Sequence, residues 1–187
     1  MAFPVNRSTP AASALADYVP TVYDLGVGDN RRAPHVACFF AGEGWCDVYM
    51  VEVRTSRTAP PVRYFLKVYA PDWRSKSDIL FELDFIRHLS CQGISVALPR
   101  ECRDGSLLCS LDLPEGERSM ALFDAAPGRP LSEQPSEVQS RILGRLAARL
   151  HDAAEQFSSP HPRRRLDLER LLDLSPLEQF ASQRTEE

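Results

Sequence analysis

Asparagine occurs only at positions 6 and 30 of this 187-residue chain, so nothing after residue 30 offers that side chain to a metal or a reacting group. No run of apolar residues approaches the roughly 18 that a membrane span requires, and no apolar stretch of signal-peptide type opens the sequence. The five cysteines (Cys38, Cys46, Cys91, Cys102, Cys109) contain no C-x-x-C pair. That is poor zinc spacing, and an odd set argues against a disulfide framework. The expectation is a reduced, cytoplasmic chain that is neither secreted nor membrane-spanning. With 22 basic and 26 acidic residues the net charge is −4, which gives no electrostatic reason to expect nucleic acid or an anionic membrane as partner. The basic cluster Arg163-Arg164-Arg165 lies beside prolines without interleaved aromatics and reads as a solvated turn.

What is present is ordinary for a globular chain: 43% hydrophobic and 26% charged residues, enough to bury a core in one domain or one and part of another. Residues 1–34 read as a partly disordered lead-in. Its first 14 residues are rich in Pro, Ser and Ala, and a short helix follows around Leu15–Val19. From His35 the pattern turns to β. Val36–Phe40 and Cys46–Arg54 flank Gly42-Glu43-Gly44, where glycine would permit the positive φ of a tight turn. Tyr64–Tyr69 predicts a third strand. A helix starts at Ser75 or Ser77, carries Ile79, Leu83, Ile86 and Leu89 on one side, and meets a C-terminal cap at Gly93. Ser95–Pro99, Ser106–Asp112 and Ser119–Phe123 predict further short strands. Ser136 to Phe157 is the strongest helix, with Ser136 and Gln139 fitting a capping box, and a last helix spans Leu166–Leu174. The sum is α+β: a strand-rich lobe over 35–124, then a crossing and a helical part over 125–187.

Lys67, in Phe65-Leu66-Lys67-Val68-Tyr69, shares a strand face with Phe65 and Tyr69. An inward ammonium needs an anion, and Glu82 on the following helix offers one. A strand lysine paired with a helix carboxylate is how kinase folds hold ATP phosphates. Pattern alone favours an edge-strand lysine with its head in water, and a helix glutamate on the surface. Gly42 and Gly44 could bring backbone N–H groups to a phosphate, or simply turn a hairpin. Trp45 and Tyr49 read as packing residues. His151-Asp152 imitates the start of a kinase catalytic loop, but it sits inside a strong helix and Phe157 stands where the metal-binding asparagine would fall.

A glycine turn between strands, a strand lysine, a helix glutamate, a strand running into Ala126-Pro127-Gly128 and a helix ending Leu150-His151 follow one another in order. This order resembles the aminoglycoside phosphotransferase family, which includes choline and homoserine kinase-like enzymes. Phe65 to Trp73 with its following helix looks most like the bacterial stress-response kinase branch. Met120 to Arg129 is similar to the family's hinge, and Leu143 to His151 to its first long helix of the second lobe. The likeness runs from about Cys38 to Phe180. It implies a protein-kinase-like N-lobe of about five antiparallel strands plus one helix, followed by the first helices of a truncated C-lobe. It implies ATP with Mg²⁺ as cofactors. Lys67 would lie on the phosphates with Glu82 pairing it, Gly42 and Gly44 near them, and the backbone of Phe123, Asp124 and Ala126 on adenine.

There are two departures from the family's pattern. Phe65 stands where the family has a smaller aliphatic near adenine, which would narrow the pocket. The family's His-Gly-Asp loop, its downstream asparagine and its later metal-binding aspartate have no counterpart here, so no residue is assigned a catalytic or metal-binding role. The implied function is an ATP-dependent phosphotransferase present as its nucleotide-binding half, with a missing C-lobe or a partner protein covering the exposed helical face. The alternative is a non-catalytic, pseudokinase-like binding module.

Overall fold

The computed structural model describes residues 8–25 and 34–163, except 45, 57, 72, 73, 129, 130, 132 and 133. Alternating apolar side chains build five strands: β1 (His35–Gly42), β2 (Cys46–Arg54), β3 (Val62–Tyr69), β4 (Cys109–Leu113) and β5 (Gly116–Asp124). They form one antiparallel sheet in the order β1-β2-β3-β5-β4. Three helices complete the described fold: α1 (Ala12–Val22), α2 (Lys76–Cys91) and α3 (Glu137–Glu155). The α+β class and the five-strand count therefore agree with the sequence reading. The expected helix over Leu166–Leu174 lies outside the described residues.

Period-two alternation gives the sheet two apolar faces. On one, Tyr49, Val51, Val53, Tyr64, Leu66, Val68, Met120 and Leu122 pack with Leu15 and Val19 of α1. On the other, Tyr69, Ala121 and Phe123 pack with Ile79 and Leu83 of α2. Burying each such aliphatic side chain contributes about 1.5–3 kcal/mol. The reading of residues 1–14 as a loose lead-in is corrected from Ser8 onward. The expected short helix around Leu15–Val19 is present, but it begins earlier, at Ala12, and it buries Leu15 and Val19 to 0–1% exposure. Helix α1 also runs past Pro20 to Val22, because Arg103 takes the carbonyls a helix end leaves open. Its guanidinium donates to Pro20 and its N–H to Val22.

Three further expectations are corrected. Ser95–Pro99 forms no strand; it makes one bridge, Pro99 to Phe123, since proline has no N–H to extend a ladder. Neither Gly42 nor Gly44 has positive φ; the irregularity lies within β1, as a register shift between Phe40 and Gly42. Cys102 and Cys109 are joined as a disulfide with Cα atoms 6.9 Å apart. A turn at Gly105, φ 83°, folds their connection back, a proximity no cysteine spacing discloses. Among the described residues, no helix is long and apolar enough to cross a membrane.

Candidate functional site

Strand β3 is central, between β2 and β5, so Lys67 is no edge guard. Its side chain is 36% exposed and its Nζ lies 3.8 Å from Glu82 Oε1. Of the chain's 22 basic residues, only Lys67 and Lys76 are lysines. Against an arginine-rich background, that choice at a central strand was a signal the pattern reading did not use.

Glu82 reaches this position because α2 starts at a fixed point. Ser75, the first of the two expected caps, accepts from Asp78 N–H at 3.1 Å, and Asp78 accepts from Ser75 N–H at 3.2 Å. Ile79 and Leu83 then turn inward, which leaves Glu82 at the sheet face. Arg74 also donates to Glu82, so the carboxylate is held from two sides. The Lys67 ammonium in addition stands 4.9 Å above the centre of the Phe123 ring. At 3.8 Å the lysine–glutamate contact is an ion pair and not a hydrogen bond. The ammonium is thus oriented while its three N–H donors stay available to an anion.

Register sets the dimensions. Gly42, Val48, Lys67 and Ala121 lie in one row across four strands. Two strand spacings put Gly42 about 10 Å from Lys67 along that row. A Cβ added at Gly42 or Gly44 would meet nothing within 4 Å, so the space above the turn is open. Ala121 to Asp124 is three residues along β5, again about 10 Å. Between the two ends, Met50, Phe65 and Phe123 share a row and give an apolar floor.

At the end of β5 the backbone is mostly committed. Asp124 N–H donates to Leu98 at 2.8 Å and Ala125 N–H to Arg63 at 3.4 Å. Among the described residues no hydrogen bond engages Ala126 N–H, which leaves that amide as a donor. Lys67 is therefore brought against both Glu82 and Phe123. Ala126 follows the end of β5, and Gly42 and Gly44 lie across the sheet. Asp124, one residue on from Phe123, lies instead on the opposite face in register with Tyr64 and pairs with Arg100 at 3.8 Å. What pattern reading missed is Arg118, a buried arginine on β5 whose Nη2 donates to Asp47 at 2.7 Å.

Residues 41–185 match the model of the phosphotransferase enzyme family. An uncharacterized protein of Synechocystis sp. is 35% identical over all of this chain and 48% of its own length. A homoserine kinase of Rhizobium etli is 39% identical over 46% of this chain and 26% of its own. In fold, the chain superimposes on an amicoumacin kinase solved with AMP-PNP, Ca²⁺ and Ami. The TM-score is 0.64 at 23% identity, covering 88% of this chain and 47% of the other. The chain spans about half the length of the first of these curated relatives. With most of its residues matched, and with a sheet and helices that superimpose on a kinase, the chain belongs to the phosphotransferase enzyme family.

Proposed function

We propose that this chain is the nucleotide-binding half of an ATP-dependent phosphotransferase. The observation that carries the reading is the Lys67–Glu82 pair at 3.8 Å on a central strand. It stands on a sheet face whose other end offers an unengaged amide at Ala126. Adenine would lie on the floor of Met50, Phe65 and Phe123 and accept from Ala126 N–H. The phosphates would accept from the Lys67 ammonium, with Glu82 and Phe123 fixing its direction. The wide Phe65 ring leaves less depth for the base than an aliphatic would.

Magnesium does not fit the groups at hand. Glu82 is engaged by Lys67 and Arg74. Among the described residues no three His, Cys, Asp or Glu side chains are grouped to hold a metal. Bound magnesium would neutralise charge developing on the transferring phosphoryl group. Its ligands, and the group that orients the acceptor, are assigned to a companion half. The exposed apolar side of α3 supports such a companion: Val138 is 66% exposed, Ile142 58% and Leu143 51%.

Calorimetry with ATP tests the binding, and labelled ATP with candidate acceptors tests transfer. The chain alone should bind ATP weakly, lose at least about tenfold in affinity in Lys67→Ala, and transfer no phosphate. Robust turnover by the isolated chain, abolished by Lys67→Ala, would overturn the assignment of half the machinery to a companion. Unaltered ATP affinity in Lys67→Ala would overturn the nucleotide site itself.

A further inference from the structure

The ladder between β3 and β5 stops at Val68–Met120, although β3 continues to Tyr69 and then meets Pro71 two residues later. The carbonyls of Val68 and Tyr69 accept instead from the Arg118 guanidinium, Nη2 to Val68 at 3.1 Å and Nε to Tyr69 at 2.7 Å. The same side chain donates from Nη2 to Asp47 of β2 at 2.7 Å. From Nη1 it donates to the Ser8 carbonyl at 2.9 Å and to Glu115 at 3.4 Å. Ser8 in turn gives Glu115 its N–H at 3.1 Å and its hydroxyl at 2.6 Å, and Tyr49 donates to the Pro10 carbonyl at 2.6 Å.

Arg118 is 0% exposed at its side chain and Asp47 2%. Burying a charge this completely is costly and, for stability alone, an apolar pair of similar volume does as well. What an apolar pair cannot do is hold three chain segments at fixed angles. The planar fork of a guanidinium can, because its donors point in set directions. Here it replaces the missing last rungs of β3, one and two residues beyond Lys67. It also joins them to Ser8, which lies 110 residues from Arg118 in sequence.

We propose that Arg118 is a positioning residue for Lys67, through which the docked Ser8–Pro10 segment fixes the end of β3 and the place of the ammonium. The proposal rests on the reading of Lys67 as the phosphate contact. A loosened β3 end moves the lysine but not the hinge, so its effect falls on phosphate binding and spares the base.

The test uses the full chain and two variants. Asp47→Leu/Arg118→Met removes both buried charges together, and Ser8→Ala is a mild change at the part-buried contact. Calorimetry gives affinities for ATP and for adenosine. Mass spectrometry after amine-reactive labelling gives the rate at Lys67 relative to Lys76, the only other lysine. ATP affinity should fall about tenfold in the double variant and about twofold in Ser8→Ala, with adenosine affinity within about twofold of the original. The Lys67-to-Lys76 labelling ratio should change in both. Equal losses for ATP and adenosine, or an unchanged ATP affinity and labelling ratio, would overturn the proposal. Should the double variant fail to fold, Ser8→Ala decides alone. Were the unaltered chain to bind neither nucleotide, the proposed function would fail, while the labelling ratio would still report whether this cluster sets Lys67.

Discussion

Ser75 and Ser136 each open a helix with the same reciprocal pair of hydrogen bonds, to Asp78 and to Gln139, yet the two helices meet different surroundings. Helix α2 lays Ile79 and Leu83 against the sheet at 0–1% exposure. Among the described residues, helix α3 is held near its C-terminal end. Ala153 packs with Leu89 and Ile94, Arg149 donates to the Gln92 and Gly93 carbonyls, and His88 bonds the Ala153 carbonyl at 2.9 Å. Phe157, just beyond, packs edge-on against Phe81 and tilted against Phe85 and His88. The first half of α3 presents Val138, Ile142, Leu143 and Leu146 outward. Local signals start a helix, but a cover for its apolar face must come from elsewhere.

The comparison breaks most sharply under core truncation. Leu83→Ala removes a fully buried side chain and should cost about 2–5 kcal/mol in urea unfolding. Ile142→Ala, at 58% exposure, should change the same midpoint by less than about 0.5 kcal/mol. Equal losses would mean that the outward side of α3 is covered in solution, by self-association or by the rest of the chain. Sedimentation would separate those two cases.

A smaller effect comes from the caps. Ser75→Ala should lower global stability by about 1 kcal/mol, because α2 unfolds with the sheet. Ser136→Ala should leave that transition in place and appear instead as faster amide exchange in the first turns of α3, which open without the core. If both substitutions shifted the global midpoint alike, α3 would belong to the same cooperative unit as the sheet.

The elements behind these predictions differ in how far the sequence displays them. The Lys67–Glu82 pair, fifteen residues apart, is offered by residue type but not decided by it. Both caps and both of the helices they open arise from patterns within a few residues, so spacing and residue type display them. Strand β2 is legible for the same reason. The Arg118 cluster is not. A strand arginine reads alike whether it points to water or to Asp47, Glu115 and Ser8, and those partners are scattered over the chain. Helix α1 was underestimated because its stripe is short and its flanks are polar. Ser95–Pro99 misled in the other direction: Val96 and Leu98 look strand-like, but an isolated bridge is all that a terminal proline allows. The half-empty face of α3 is the reverse case, legible as apolar from the sequence alone.

The smallest predicted effect is that of acid on the sheet lobe. The Ser8 hydroxyl and, to a smaller extent, the Arg118 charge hold Glu115 below its ordinary value of 4.5. Arg63 and then Arg54 do the same for Glu52, and Lys76 for Glu117. A carboxylate whose folded value is depressed binds fewer protons folded than unfolded. Its contribution is complete above the unfolded value and is lost as pH falls through the lower folded one. The unfolding midpoint should therefore hold steady from about pH 7 to about pH 5 and decline between about pH 4.5 and pH 3. Glu115→Gln should flatten part of that decline. It should do so together with the N-terminal segment, so that exchange at Ser8–Ala11 rises in the variant at neutral pH. A midpoint that rose on acidification, or a Glu115→Gln profile superimposable on the original, would show that Ser8 and Arg118 do not hold this carboxylate in solution. The contrast between a tightly latched sheet lobe and a loosely held α3 would then rest on apolar packing alone.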